Sequence, residues 1–253
     1  MEFPDFRMPE NVSSFPSGNC FFKYIQTFAD KFELRKYIKF RNVVTAVTRA
    51  NDVWKVEYRQ LNDSKIIVKE YDYIMVCNGH NFKPNWPNNI EEAHKNFSLI
   101  MHSHDYREPS IFKGKKVVVV GAGPSGQDIG VEIANVANKL VLSHHYKEFK
   151  SSFPEHFIQK PDLKLILNDS VVFTDDTSED VDVILYCTGY EYYYPFLDES
   201  AGLQLPGRYV APLHRNTVNI NQPTMLFFGL GVYGVVTFRQ WSATYHDPYT
   251  TTT

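Results

Sequence analysis

Apolar residues recur first at helical spacing and then at strand-like spacing. Six apolar side chains repeat every three or four positions between Phe21 and Phe32, with polar residues between them, which predicts one amphipathic helix. Four short runs rich in β-branched and aromatic residues follow, separated by Asn-Asp turns. They predict a small antiparallel meander with strands at residues 43–47, 54–58, 66–68 and 73–77.

The pattern changes after a segment that contains two prolines. Residues 81–89 suit a linker and neither a helix interior nor a central strand, so we place a domain boundary after them. From Lys116 an uninterrupted valine run leads into a glycine turn, a helix that we expect to reach about Asn138, and a second strand at residues 140–143. This order predicts a β-α-β unit.

The glycine turn has the spacing of a dinucleotide-binding site. Residues 121–126 read GAGPSG, in which Gly121 permits the tight turn, Gly123 lets the backbone approach a pyrophosphate, and Gly126 allows the helix to pack on the sheet. The helix that follows points N–H groups and its positive dipole end at the phosphates. Because a valine strand precedes the turn and an apolar helix face follows it, we predict dinucleotide binding; a turn that serves packing alone is the alternative.

The choice of nucleotide depends on the end of the second strand of the unit. An acidic residue there binds the ribose hydroxyls of NAD, whereas a cation accepts the 2′-phosphate of NADP. Here Ser143, His144 and His145 come first, Lys147 follows, and the first acid is Glu148. We therefore predict NADP(H), although either histidine alone is equally well explained as part of a solvated loop.

Two ten-residue segments of the chain resemble each other. Residues 71–80, YDYIMVCNGH, and residues 181–190, VDVILYCTGY, share Asp, Ile, Cys and Gly in register. Each is an apolar strand that ends in a small polar residue and a glycine, where the carboxyl edge of a doubly wound sheet meets a dinucleotide. We therefore expect two related halves, the alternative being a chance likeness between buried strands. No GxGxxG precedes Gly79, so either the first half binds no phosphate or its opening strand lies upstream of Met1.

Composition and cysteine spacing exclude several classes of protein. A net charge of -3 with mixed signs gives no basic stripe for nucleic acid. The three cysteines form neither a CxxC pair nor a zinc spacing, which favours a reducing compartment. The amino terminus lacks the order of a secretion signal. The longest apolar stretch, residues 224–238, is too short to span a bilayer and predicts a buried strand followed by a glycine-rich turn.

Other chemistry has little support in the sequence. His102 and His104 have no third ligand nearby, so we predict no metal site and interpret the pair as an ordinary polar strand edge. A serine-hydrolase elbow and a catalytic carboxylate pair are both missing from the sequence, and the acidic residues between Asp175 and Asp180 are interpreted as a solvated loop.

Seven stretches of the chain resemble the flavin-containing monooxygenase family, over nearly the whole length to about residue 241. They are FPDF at 3–6, FADKFELRKYIKF at 28–40, VCNGH at 76–80, HSHDYR at 102–107, GAGPSGQDI at 121–129, CTGYEYYYPFLDE at 187–199 and PTMLFFGL at 223–230.

The family signature, Phe-x-Gly-x-x-x-His followed by Ser and a Tyr three further on, ends at Tyr106. His102, Ser103 and Tyr106 match it, whereas Asn96 and Ser98 stand in place of the phenylalanine and the glycine.

The resemblance implies an α/β flavoprotein with two dinucleotide-binding domains. Residues 1–107 would form a partial FAD-binding domain that carries the meander but lacks its glycine turn, and residues 108–190 a Rossmann-like NADP-binding domain. Residues 191–253 would return to the FAD domain and end in an irregular, threonine-rich tail. The family's FAD turn and the segment before FPDF are missing, and the chain leaves the family pattern after Trp241. We therefore expect both ends to be truncated or mis-spliced and FAD to be held weakly.

The resemblance also implies an activity. NADPH would reduce bound FAD, and one oxygen atom of O2 would pass to a soft nitrogen or sulfur nucleophile of a small molecule. Ser143 and His145 would face the 2′-phosphate, with His145 where the family usually has arginine. The residues implied to contact the cofactors FAD and NADP(H) are Gly121, Gly123, Pro124, Ser125, Gly126, Gln127, Asp128, Ser143, His144, His145, Asn78, Gly79, Thr188 and Gly189.

Several alternatives stay open at this point. One is a catalytically inactive NADP-binding fragment, a second is a Baeyer-Villiger-type oxygenase, and a third is a pyridine-nucleotide disulfide reductase, which needs a redox cysteine pair. Catalytic residues and oligomeric state are not assigned. We expect a location in the cytoplasm or at the periphery of the endoplasmic reticulum.

Overall fold

The computed structural model describes residues 2–87, 97–150 and 153–231. Its helices are α1 (Gly18–Lys31) and α2 (Pro124–Ala134), with short 3₁₀ turns at Leu34–Tyr37, Ser103–Asp105, Pro109–Phe112 and Glu199–Ala201. Its strands are β1 (Asn42–Ala50), β2 (Val53–Gln60), β3 (Ile66–Tyr71), β4 (Ile74–Val76), β5 (Lys83–Pro84), β6 (Leu99–His102), β7 (Lys116–Val120), β8 (Lys139–Ser143), β9 (Phe157–Lys160), β10 (Leu163–Ile166), β11 (Ser170–Phe173), β12 (Ser178–Asp180), β13 (Val183–Tyr186), β14 (Tyr190–Glu191), β15 (Leu213–His214), β16 (Val218–Asn219) and β17 (Met225–Phe227).

The amphipathic helix predicted near the amino terminus is confirmed as α1. Ser17 caps it by accepting a hydrogen bond from the backbone N–H of Cys20, at 3.3 Å. Tyr24 is the buried residue of this helix, and its hydroxyl accepts from the backbone N–H of Phe3 and donates to the carbonyl of Phe6. The extended opening segment is therefore tied to the helix by one side chain.

The antiparallel meander is confirmed for β1, β2 and β3 but not for β4. β1 pairs with β2, and β2 pairs with β3, both antiparallel. β4 instead joins a four-stranded sheet of order β15-β16-β17-β4, where it runs parallel to β17 with Ile74 opposite Met225 and Val76 opposite Phe227. Local patterning missed this because a short apolar run does not show which distant strand it pairs with.

A buried tryptophan joins the meander to the four-stranded sheet. The Trp54 side chain on β2 is fully buried, and its indole N–H donates to the Thr224 hydroxyl at 3.0 Å. Arg49 on β1 covers the ring at 5.1 Å and donates to the same hydroxyl. Trp54 packs in one apolar cluster with Met225 and Phe227, which anchors the meander on β17.

The second half of the chain contains the predicted β-α-β unit within a larger parallel sheet. The strand order is β6-β13-β7-β8-β9, and all four pairings are parallel. Val117, Val118 and Val119 on β7 are fully buried, because apolar clusters cover both faces of the sheet. β7 and β13 therefore occupy the interior of this half.

The helix of this unit is shorter than the sequence predicts. α2 ends at Ala134 rather than near Asn138, because the chain turns back after Asn135. Asn138 then donates its backbone N–H to the carbonyl of Lys115 at 2.9 Å, which lets β8 begin at Lys139 beside β7.

Sheet membership also bears on the predicted domain division. β6 lies within the segment 1–107, yet it pairs with β13 in the five-stranded sheet of the second half. A boundary before Leu99 therefore fits the sheets better than one after Arg107.

Two short strands connect the halves. β5 and β14 pair antiparallel, and Lys83 on β5 forms an ion pair with Glu191 on β14 at 2.7 Å. β5 occupies part of the proline-containing linker, where Pro84 is tolerated because this ladder has only two strands.

Some sequence expectations fall outside the described residues. These are linker residues 88 and 89, the signature position Asn96, and the tail after residue 231. The apolar stretch from residue 224 begins with the strand β17, as expected, but its glycine-rich end lies beyond the description. Within the three described ranges, neither helix has the length and apolar character needed to cross a bilayer.

We predict that Trp54→Ala lowers the free energy of unfolding by about 3–5 kcal/mol, because it opens a large cavity where two sheets meet. Tyr73→Ala is the control, since Tyr73 is 65% exposed, and we expect its effect to stay within about 0.5 kcal/mol. Urea denaturation followed by circular dichroism measures both. Equal losses in the two variants would contradict the position of Trp54 in the core.

Candidate functional site

The candidate site lies at the carboxyl edge of the five-stranded parallel sheet. Because the strands are parallel, the segments that follow them emerge on the same side. The glycine turn follows β7, the histidine pair follows β8, and the second strand-end glycine follows β13. The remaining segments at this edge are Pro161-Asp162 after β9 and Ser103–Asp105 after β6.

Two glycines of the turn are required by close backbone contacts. A Cβ on Gly126 would lie 1.9 Å from the carbonyl oxygen of Gly121, and a Cβ on Gly121 would lie 2.6 Å from that of Cys187. Gly121 also has a φ of +101°, a backbone conformation that residues with a side chain rarely adopt. These contacts pack the start of α2 against the end of β7 and against the segment that leaves β13.

The third glycine of the turn faces open space. No atom lies within 4 Å of a Cβ built on Gly123, which is the N-cap of α2, and Pro124 takes the first helical position. The Gln127 amide donates to the carbonyl of Ala122 at 2.8 Å and so holds the turn in shape. A pyrophosphate therefore has room to approach unpaired backbone N–H groups at the helix terminus, and the residues fit a dinucleotide. Ser125 and Asp128 lie exposed on the same first turns of α2.

The structure separates the three residues predicted after β8. The Ser143 side chain is 1% exposed, and its hydroxyl donates to the carbonyl of Pro161 at 2.8 Å. His144 is also buried, with its Nε2 atom 3.0 Å from Oε1 of Gln159. Among the three, His145 is the side chain left exposed at the surface. Its Nδ1 atom lies 3.6 Å from Oδ1 of Asp162, an acid that sequence reasoning missed because it follows a different strand.

The two strand-end glycines have matching conformations. Gly79 and Gly189 have φ values of +78° and +79°, and neither has an atom within 4 Å of a built Cβ. Gly79 and Asn78 follow β4, however, and belong to the other sheet, so the structure does not place them at the edge that carries the glycine turn. The Thr188 hydroxyl donates to the carbonyl of Asn85, which fastens this strand end to the crossover.

The surroundings of β4 and β13 differ. β13 lies between β6 and β7, so its terminal glycine sits beside the glycine turn. In the described residues β4 is an edge strand whose one neighbour is β17. Next to it runs a groove of about 630 Å³ lined mostly by apolar residues such as Tyr73 and Met75, with Lys39 and Asn42 among the polar ones. The first half thus supplies a strand-end glycine and an apolar surface, but the described residues there do not form a phosphate cradle for FAD.

Comparison with known proteins agrees with this arrangement. A family model described as FMO-like, flavin-binding monooxygenase-like, matches residues 1–150 and 155–231. The chain belongs to this family. This membership confirms the resemblance found in the sequence, and it supports FAD and NADP(H) as the cofactors.

Relatives and solved structures within and near the family show the same fold. Senecionine N-oxygenase of Tyria jacobaeae is 39% identical over 91% of this chain and 52% of its own length. Tmm of Pelagibacter sp. strain HTCC7211 superposes with a TM-score of 0.85 at 28% identity, over 94% of this chain and 55% of that one. The S-allyl-L-cysteine S-oxygenase of Allium sativum gives 0.82 at 27%, over 94% and 56%. The predicted two-dinucleotide α/β fold is confirmed, and the chain spans about half the length of the curated relatives it matches.

The signature histidine of this family member is buried. His102 is fully inaccessible rather than on a polar strand edge, because the crossover residues Trp86 and Tyr190 cover it, with ring centroids 5.4 and 5.2 Å away. Its Nδ1 atom accepts from the backbone N–H of His104 at 3.0 Å, so Nε2 carries the proton of the neutral ring. Burial lowers the pKa of His102, which keeps the ring neutral at pH 7.

The cysteines are not arranged for redox chemistry. Cys20, Cys77 and Cys187 are all free, and burial raises the pKa of Cys187 to about 12. A protonated, buried thiol is a poor nucleophile, which argues against a redox role for Cys187. In the part of the chain that the structure describes, no group of three or more His, Cys, Asp or Glu side chains is placed to hold a metal ion.

We predict that alanine lowers the stability of the fold at one position of the turn and the affinity for the nucleotide at another. Gly126→Ala forces a methyl group onto a backbone oxygen and destabilises the fold by about 1–3 kcal/mol. Gly123→Ala meets no protein atom and has an ordinary φ of -68°, so the melting temperature stays close to that of the parent chain. Its methyl group occupies the approach of the pyrophosphate, so affinity for NADP+ falls at least about tenfold, or roughly 1.4 kcal/mol.

Thermal unfolding and calorimetric titration with NADP+ measure the two effects. Undiminished NADP+ binding by Gly123→Ala would show that the pyrophosphate does not pass this glycine.

We predict that stability falls below neutral pH partly because of His102. Its pKa in the folded chain is lower than the ordinary 6.5, so the unfolded chain binds the proton more readily as pH falls through 6.5. His102→Gln removes this contribution, and its free energy of unfolding should decline less steeply between about pH 7 and about pH 5. His214→Gln at an exposed position is the control and should keep the parent slope. Identical slopes in all three proteins would contradict a buried neutral His102.

Proposed function

We propose that the chain is the nicotinamide-nucleotide half, with part of the FAD half, of an NADPH-dependent, FAD-containing monooxygenase. The enzyme transfers one oxygen atom of O2 to a soft nitrogen or sulfur nucleophile of a small molecule. One observation carries this proposal: Gly123 faces open space at the N-terminus of α2, on the carboxyl edge of a parallel sheet, in a member of this family.

Each residue of the turn and of its neighbouring segments has its own role in nucleotide binding. Backbone N–H groups of the first turn of α2, from Ser125 onward, bind the pyrophosphate, and Gly123 lets it approach. Gln127 keeps the turn in shape through its bond to Ala122. His145 faces the adenosine ribose, and Thr188 and Gly189 border the same edge from β13.

FAD, when bound, supplies the oxygen chemistry of such an enzyme, while the protein orients the cofactor and keeps water away. The described residues would contribute Asn78 and Gly79 at the end of β4, together with the apolar groove beside it. Since they do not form a phosphate cradle for FAD, we derive no catalytic step from them. The division into an FAD part, an NADP part and a return segment belongs to this proposal, with the first boundary moved before Leu99.

The substrate class follows from the relatives. The chain's relatives include proteins named for N-oxygenation of senecionine, for monooxygenation of trimethylamine and for S-oxygenation of S-allyl-L-cysteine. We therefore propose tertiary amines and thioethers as substrates. An inactive NADP-binding protein is the second candidate, favoured because the sequence carries the glycine turn at Gly121 but no GxGxxG before Gly79.

We predict that the purified 253-residue chain binds NADPH at one saturable site and retains no stoichiometric FAD. Protein fluorescence titration measures the first, and the visible absorbance of the purified chain measures the second. Gly123→Ala serves as the binding-deficient control. A chain that purifies yellow with one flavin per molecule would contradict the interpretation that the residues around β4 form no phosphate site for FAD. A folded chain that does not bind NADPH would contradict the proposed function.

A chimera tests the activity itself. The matching half of senecionine N-oxygenase is replaced by this chain, so that the relative supplies the segments outside the matched region. We expect O2-dependent NADPH consumption that increases with a tertiary amine. A chimera that binds both cofactors yet oxidises neither amines nor thioethers favours the inactive nucleotide-binding protein.

A further inference from the structure

An acidic side chain stands beside His145, at the edge where the adenosine ribose of a bound nucleotide is expected. β8 and β9 run parallel with Ser143 opposite Lys160, so the residues two positions further on, His145 and Asp162, lie opposite each other. Their side chains approach to 3.6 Å between Nδ1 and Oδ1, and they are 69% and 54% exposed. No further side-chain contact occupies Asp162 in the described residues.

The surrounding cations do not form a strong phosphate site. The Lys160 ammonium donates a hydrogen bond to the Thr177 hydroxyl at 3.0 Å. Lys147 and Lys150 are exposed in the segment after β8, with the acidic Glu148 between them, and no ion pair or hydrogen bond in the described residues fixes either ammonium at this edge. An arginine fork, the group best suited to bind a phosphate through two hydrogen bonds, does not occur among the residues that follow β8 or β9.

A protein carboxylate at this position has opposite effects on the binding of NAD and of NADP. Carboxylate oxygens accept hydrogen bonds from the 2′- and 3′-hydroxyls of NAD, whereas they repel the 2′-phosphate of NADP, which carries close to two negative charges. The sequence pattern after β8 favours NADP(H), because no acid follows that strand directly. In the structure, however, Asp162 after β9 places a carboxylate beside His145.

Resting on the proposed nucleotide site, we propose that Asp162 is a selectivity residue that allows this chain to bind NAD(H) as well as NADP(H). His145 is its neighbour at this edge, with Nδ1 3.6 Å from Oδ1 of Asp162. NAD+ should then bind with an affinity within about tenfold of that for NADP+, a ratio that corresponds to roughly 1.4 kcal/mol.

Asp162→Asn tests the proposal, because it removes the charge and keeps the size of the side chain. NADP+ should bind more tightly and NAD+ more weakly, so that the ratio of the two affinities shifts at least about tenfold toward NADP+. His145→Arg should shift the ratio in the same direction, since it adds a forked donor for the phosphate. Calorimetric titration of the whole chain with each nucleotide gives the ratio, and a melting curve confirms that each variant is folded.

Asp180→Asn is the matched control. It makes the same charge change near the opposite end of the sheet, where Asp180 lies 4.0 Å from the ammonium of Lys116 at the start of β7. We expect the parent ratio in this variant.

The possible results separate the two proposals. A parent chain that discriminates strongly for NADP+, with a ratio that neither Asp162→Asn nor His145→Arg changes, overturns the selectivity inference and leaves the nucleotide site intact. A folded parent chain that binds neither nucleotide overturns the nucleotide site and the inference with it.

Discussion

The close packing of Gly126 on the carbonyl of Gly121 is the constraint on which the site depends. With 1.9 Å between that oxygen and a built Cβ, only a glycine lets α2 begin where β7 ends. Gly121 in turn touches the carbonyl of Cys187, so the helix start is held against two strands at once. The direction of the helix terminus, and therefore of its N–H groups, follows from these contacts.

The same edge of the sheet is coupled to the rest of the chain through the crossover. The strand end after β13 runs directly into β14, which pairs with β5, and Thr188 and Asn85 bond to each other there. The buried His102 packs against the rings of the two crossover segments. The backbone N–H of Asn85 also donates to the carbonyl of Gly189 at 2.9 Å, so a movement of this crossover would strain the bonds that hold the strand end after β13.

The sequence predicted the elements that local chemistry determines. The glycine turn, the valine strand and the amphipathic helix each carry their signal within a few residues, and all three are present. Long-range pairings were not predictable in this way: β4 joins β17 instead of the meander, and β6 joins β13 across the expected boundary. The surroundings of single side chains were equally unpredictable from local sequence. Ser143 is buried against the carbonyl of Pro161, and Asp162, which follows β9, lies beside His145, which follows β8.

Backbone amide resonances of the chain, followed during a titration with NADP+, test the central claim most directly. We expect the largest shifts on the amides of residues 121–126 other than Pro124, with smaller ones at His145, Thr188 and Gly189, because the pyrophosphate contacts the N-terminus of α2. Saturable NADP+ binding that shifts other resonances and leaves the glycine turn unchanged would contradict it.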